Sequence, residues 1–230
     1  MSGIAGLDRS RRRLGSVSRM KTLPKTAVLL LVDLQQGFDD PRWGRRNNPQ
    51  MEARVADLLS AFRASKRRVM HAKHMSDTVT SPLRPGQPGN HFKIHLAPAP
   101  GELVIEKRVN SSFIGTSLEK ILRRDGHDTL VIAGLTTNHC VSTTARMAGN
   151  LGFNVLVVSD ATATFDRAGP DGVDHAAEEI QAIALSDLHG EFATVVDTNA
   201  VLSAVQPRVA SMRSLRPPIP KPASRRGRTC

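Results

Sequence analysis

Short apolar runs rich in Val, Ile and Leu recur along the chain at 27–33, 68–74, 102–108, 129–135, 154–160 and 192–197. Within each run the apolar positions are continuous rather than alternating, so both faces of each strand must be covered, as in a parallel sheet flanked by helices. Between the runs the spacing turns helical. Met51, Val55, Leu58, Leu59 and Phe62 mark one face after Pro49, which suits a first helical position, and Leu118, Ile121 and Leu122 mark another before Gly126, which stands where a C-cap glycine belongs. Further helices are predicted over 138–151 and 172–188, with a short last one from Thr198. Strands alternating with helices predict an α/β fold, a three-layer α/β/α sandwich around a six-stranded, mostly parallel sheet of Rossmann-like topology. The stretch 75–101 breaks the rhythm with five prolines and three glycines, and a connection of that length predicts a lid or binding loop.

Composition changes this picture mainly at the ends. With 230 residues and 40% apolar content, the chain can bury one sizeable core. The formal charge of +11 would suggest a nucleic-acid or anionic-membrane partner if it covered the fold. Residues 1–25, however, carry seven Lys/Arg against one acid and 206–230 carry seven against none, which leaves 26–205 near −2. The organisation expected is a basic disordered extension (1–25), one folded domain (26–205) and a basic Pro/Arg-rich disordered tail (206–230). Nucleic acid is then not the expected partner of the fold. No apolar segment is long enough for a membrane span, and no secretory signal pattern precedes 27–33, although an Arg/Ser-rich transit peptide has a similar composition. Met20 is a plausible alternative start. Two cysteines, Cys140 and Cys230, form no disulfide framework and suit a reducing cytoplasm.

Three residues could carry chemistry. In an open parallel sheet, ligands bind beyond the carboxyl ends of the strands. Asp33 ends the first run, Lys107 lies at the end of the third, and Cys140 follows the fourth after a Gly/Thr/Asn turn, at the start of a predicted helix. A helix start favours the thiolate, which makes Cys140 a candidate nucleophile; the same residue reads equally as a buried structural cysteine. Asp33 alone could be a cap or a salt-bridge partner, and Lys107 alone a solvated surface residue. Together, a thiol, a carboxylate base and an organising cation make an activated-nucleophile set without histidine.

Four segments in this order resemble the isochorismatase-like cysteine hydrolases, the superfamily that includes nicotinamidase and N-carbamoylsarcosine amidohydrolase. They are Val-Asp33-Leu-Gln35-Gln-Gly-Phe38, Glu-Lys107-Arg-Val-Asn-Ser-Ser-Phe, Gly134-Leu-Thr-Thr-Asn-His-Cys140-Val-Ser-Thr-Thr-Ala and Val157-Val-Ser-Asp160-Ala-Thr-Ala, and the resemblance runs over about 27–204. It implies an Asp33, Lys107 and Cys140 triad, a cis Leu135–Thr136 bond and an oxyanion hole from the backbone N–H groups of Thr136 and Cys140. It also implies homo-oligomers, dimers or tetramers. Because a thiol suits acyl chemistry, hydrolysis of a small-molecule amide or carbamoyl C–N bond is expected. Isochorismatase-type ether hydrolysis is the enzymatic alternative. A binding protein using its basic tails is a second alternative, and a redox-sensing thiol is a third, although the tail cysteine is its only candidate resolving partner.

The resemblance also suggests that Gln35, Phe38, Trp43, Asn110 and Phe113 contact the substrate, with Gln35 alternatively holding backbone across the site. The nicotinamidase Asp-x-His metal pattern is absent, since the chain reads His71-Ala-Lys-His74-Met-Ser-Asp77. His71 and His74, three apart on a strand, face opposite sides, so one core and one rim histidine are expected and neither a metal nor a cofactor. His91 and His95 fall in the Pro/Gly loop, solvated or substrate-facing, and the adjacency of His139 to Cys140 proves no role.

Overall fold

The structure is a computed structural model that describes residues 22–205; the expectations for 1–21 and 206–230 lie outside the described residues. Its main sheet contains β1 (Val28–Val32), β2 (Arg68–His74), β3 (Leu103–Lys107), β4 (Thr129–Leu135) and β5 (Asn154–Ala163). A small antiparallel pair, β6 (Arg167–Ala168) and β7 (Asp174–His175), precedes the last strand, β8 (Thr194–Val196). The order is β3-β2-β1-β4-β5-β8, with every neighbouring pair parallel. This is the six-stranded parallel sheet that the continuous apolar runs predict.

Alternation along each strand explains why the runs are continuous. Leu29, Leu31, Val131, Ala133 and Leu135 pack on one face of the sheet against α1 (Met51–Ala64) and α5 (Thr198–Val205). Val28, Leu30, Val32, Leu130 and Ile132 pack on the other against α2 (Leu118–Arg124), α3 (Ser142–Asn150) and α4 (Ala177–Leu188). Successive side chains point to opposite faces, so a central strand between two helical layers must be apolar at every position. Each fully buried Val or Leu contributes about 1.5–3 kcal/mol, which makes β1 and β4 the backbone of the core.

The boundaries differ from expectation where tertiary contacts intervene. Leu23, expected in the disordered extension, is buried in the first core, and its N–H donates to Ala204 O at 3.0 Å. Pro49 lies in the turn before α1 rather than in its first position. The helix expected from 172 starts at Ala177, because Gly172 turns the β6–β7 hairpin at φ 80°. The one expected from 138 begins with a π-helical turn, Thr137–Val141. The 75–101 connection is strapped to the exit of β1, where Gly37 and Gly89 face each other so closely that a Cβ on Gly89 would lie 2.8 Å from Gly37 Cα. Among the described residues no helix is long and apolar enough to cross a membrane.

His71 is the core histidine of β2. Its Nε2 lies 2.9 Å from Glu102 Oε2, and Glu102 also accepts from Arg63 Nε at 2.8 Å and Ala99 N–H at 2.9 Å. Burial pushes the Glu102 carboxyl up, but Arg63, Ala99 and His71 outweigh it and hold the group at about 2. Burial likewise holds His71 below its usual value, against the pull of Glu102. Both folded-state values are depressed, so both contributions are present at neutral pH; they fade as pH falls, that of His71 below about 6.5 and that of Glu102 from about 4.5 down through 2. Glu102→Gln should therefore cost about 1–3 kcal/mol at pH 7. The deficit should shrink between pH 5 and pH 2, as checked by urea denaturation across that range.

Candidate active site

The sheet reverses its order of construction between β1 and β4, and that crevice is where an α/β sheet leaves room for a ligand. Asp33 follows β1 and Cys140 follows β4, so the switch point brings them together. The backbone of β4 leaves no room for a side chain toward β1 here: Gly134 adopts φ 123°, and a Cβ on it would lie 2.0 Å from Val32 O. Only glycine fits there. Beyond it, the Leu135–Thr136 peptide is cis, as the resemblance implies, and the π turn carries Cys140.

Asp33 itself takes a left-handed conformation, φ 51°, which aspartate tolerates better than most residues. Its side chain is fully buried. Oδ2 accepts from Lys107 Nζ at 2.7 Å, while Oδ1 is buried with no hydrogen-bond partner. Lys107, also fully buried, further donates to Val109 O at 3.3 Å and lies 3.2 Å from His74 Nδ1. A carboxylate oxygen of Asp33, a ring nitrogen of His74 and Cys140 Sγ all lie within 4.8 Å of one another.

Cys140 is 8% exposed, and its Sγ lies 3.8 Å from Asn110 Oδ1. Burial drives its pKa far up and the Asp33 carboxylate adds to that, against the opposing pull of Lys107. The thiolate expected at a helix start therefore gives way to a neutral thiol at rest, because desolvation and a like charge outweigh the favourable dipole. A sulfur of this kind reacts only if its proton is removed as it attacks, and Asp33 and His74 are the groups within 4.8 Å that can accept one.

The remaining predicted residues divide. Asn110 reaches the sulfur. Phe38 and the half-buried Trp43 form an aromatic cluster with Phe165, with centroids 5.4–6.3 Å apart, and Trp43 Nε1 donates to Gly37 O at 2.8 Å. Phe113 lies in the second core, 5.8 Å from Phe153. Gln35 is fully buried and spends its amide on backbone, donating to His74 O and Asn90 O and accepting from His74 N–H. Of its two expected tasks it performs the structural one. His91 and His95 are exposed, and half-buried His139 bonds Thr136 Oγ1 at 3.2 Å.

Two members received no site role from the sequence. His74, named there with His71 as a core-and-rim pair, is the rim histidine: it ends β2 beside Asp33 and Lys107, where the strand-end rule points. Phe165 has no such signal, since its contacts with Phe38 and Trp43 come from segments far apart in sequence. Asp33, His74 and Cys140 offer donor atoms close enough to share a metal, but the Lys107 ammonium already lies against Asp33 and His74, so a metal cation would have to displace it. The residues do not fit a metal centre.

A buried ion pair tolerates loss of both partners better than loss of one. Lys107→Met should destabilise the protein by about 3–5 kcal/mol, because Asp33 is left charged and unpaired. Adding Asp33→Asn, which keeps a residue tolerant of the left-handed backbone, should recover much of the loss. Denaturant melts of both variants check this.

An isochorismatase domain model matches residues 27–200. The isochorismatase family protein YrdC of Bacillus subtilis (strain 168) is 43% identical over 176 residues, covering 76% of this chain and 94% of its own. A solved isochorismatase-family structure from Chromobacterium violaceum ATCC 12472 is 45% identical with a TM-score of 0.78, covering 80% of this chain and 96% of that one. Maleamate amidohydrolase of Pseudomonas putida (strain KT2440) is 32% identical over 150 residues, or 58% of this chain and 70% of that enzyme. With the parallel sheet, the switch-point crevice and these matches in agreement, the chain belongs to the isochorismatase family of hydrolases.

Proposed function

We propose that this hydrolase cleaves a C–N bond of a small amide or carbamoyl compound through a Cys140 thioester, with Asp33 as base and Lys107 as the organising cation. The observation that carries the reading is the state of Asp33: Oδ2 is held by Lys107, Oδ1 is buried without a partner, and one carboxylate oxygen lies within 4.8 Å of Cys140 Sγ. Asp33 takes the thiol proton as sulfur adds to the carbonyl carbon. The backbone N–H groups of Thr136 and Cys140 are assigned to the oxyanion. The C–N bond then breaks, and Asp33 returns the proton to the departing nitrogen. Water, losing a proton to Asp33, attacks the thioester; the C–S bond breaks and the thiol is restored. Overall one amide and one water give one acid and one amine. Vinyl-ether hydrolysis uses no thiol and leaves this arrangement unexplained.

The substrate class this reading favours is anionic. Among the described residues Arg167 makes no ion pair, whereas its neighbour Arg45 is held by Asp166 and Glu178. Arg167 stands exposed on β6, and its charge is felt at His139, whose pKa is lowered by burial first and by Arg167 second. Thr164, three residues earlier, ties the segment to the π turn through a 2.6 Å bond to Asn138 Oδ1. A relative named maleamate amidohydrolase acts, by its name, on an amide that also carries an acid group. A homo-oligomeric cytoplasmic enzyme is part of the same proposal. Gln35, Phe38, Trp43, Asn110 and Phe113 remain its candidate substrate neighbours.

Ammonia release from a panel of amides and carbamoyl compounds tests the chemistry. Cys140→Ser should lower it by at least about 1000-fold while circular dichroism stays unchanged, and mass spectrometry of wild type quenched in turnover should find an acyl adduct on Cys140. Retained activity in the serine variant would exclude the thioester. Arg167→Gln should raise KM about tenfold for carboxylate-bearing amides and little for neutral ones, as steady-state kinetics on matched pairs would measure.

A further inference from the structure

Lys107 and Asp33 do not come from neighbouring strands. Lys107 ends β3 and Asp33 follows β1, with β2 between them, so the ammonium must cross about 10 Å of sheet to reach the carboxylate. The residue it crosses is His74, the last of β2, which pairs in register with Lys107. An ammonium has three donors and no acceptor. Here they meet Asp33 Oδ2 at 2.7 Å, His74 Nδ1 at 3.2 Å and Val109 O at 3.3 Å. Nδ1 can therefore only accept, which assigns the imidazole proton to Nε2.

The backbone of His74 is held as firmly as its ring. Its N–H donates to Gln35 Oε1 at 2.9 Å, and its carbonyl accepts from Gln35 Nε2 at 3.0 Å and Asn90 Nδ2 at 3.1 Å. Two buried amide side chains thus converge on the backbone of one rim residue.

We propose that His74 is a positioning residue: a neutral Nε2–H imidazole whose Nδ1 lone pair keeps the Lys107 ammonium aimed at Asp33. The inference rests on the reading of Asp33, Lys107 and Cys140 as the reacting set. Burial, and then the Lys107 charge, hold the imidazole below the usual histidine value, while Asp33 and Asp77 pull the other way. Asp77 is itself paired with Arg108, and the fourth group facing His74 is the neutral Cys140 thiol. Because the folded-state value is lowered, the neutral form prevails at and above pH 6.5. Acidification below that range puts a proton on Nδ1, directly against the ammonium, and drives Lys107 off its aim.

Two variants of the full-length protein separate this role from mere packing. His74→Leu removes the acceptor, whereas His74→Asn keeps an oxygen near the Nδ1 position that accepts but does not titrate. On the best amide from the panel, His74→Leu should lower kcat about 10- to 100-fold with little change in KM, and His74→Asn should restore most of that loss. His74→Asn should also remove the imidazole's contribution to the acid limb of the kcat profile. Iodoacetamide, needing no substrate, probes the thiol directly: at pH 7.5 alkylation of Cys140 should slow several-fold in His74→Leu and much less in His74→Asn, since Lys107 favours the thiolate. Equal loss in both variants, or none in either, overturns the proposal. Nitrogen NMR of the wild-type imidazole covers the case in which a variant does not fold, because an Nδ1–H or charged ring at pH 7 also overturns it. An active Cys140→Ser enzyme would instead sink the thioester reading, leaving the alkylation and NMR results to judge His74 alone.

Discussion

A carboxylate and an ammonium buried together at the strand ends are the constraint on which this site depends. Neither Asp33 nor Lys107 retains solvent exposure at its side chain, and desolvation of two charges is repaid only when every donor and most acceptors are satisfied. The protein meets that condition for Lys107 with three acceptors from three segments. It leaves one oxygen of Asp33 unmet. In a well-packed protein an orphaned buried carboxylate oxygen is a cost, and the mechanism proposed above would give that cost a chemical use.

The fold supplies this arrangement through strand order rather than through any single loop. With β1 and β4 adjacent at the switch point, the residues that follow them meet in the crevice, and Gly134 omits the Cβ that would strike Val32 O. The lysine arrives from two strands away, so the end of β2 lies under its path. Gln35, in the β1 exit, and Asn90, in the segment strapped over it, then fix that strand end. The long Pro/Gly connection is thus part of the scaffold of the site as well as part of its rim.

Electrostatics sharpen what such a thiol can do. A cysteine at an open helix start would be a standing thiolate, reactive toward any electrophile. Burial and Asp33 hold Cys140 as a neutral thiol instead. On the proposed mechanism nucleophilicity is then coupled to proton transfer, which favours a bound carbonyl over adventitious oxidants.

The sequence by itself determined the layers, the six strands and the rim on which Asp33, Lys107 and Cys140 lie, because continuous apolar runs and strand-end positions are local signals with one structural solution. It also contained His74 at the end of its strand, though spacing gave no reason to join it to Lys107. Only tertiary structure decided the neighbours: that Gln35 spends its amide on the His74 backbone, that Phe165 completes the cluster of Phe38 and Trp43, and that residues 172–176 leave the helix for a hairpin turn. Tertiary structure also decided the protonation state of Cys140, which a helix start alone would have shifted toward the thiolate. A pKa depends on burial and on charges brought from remote strands, and neither quantity is written in the local pattern of a chain.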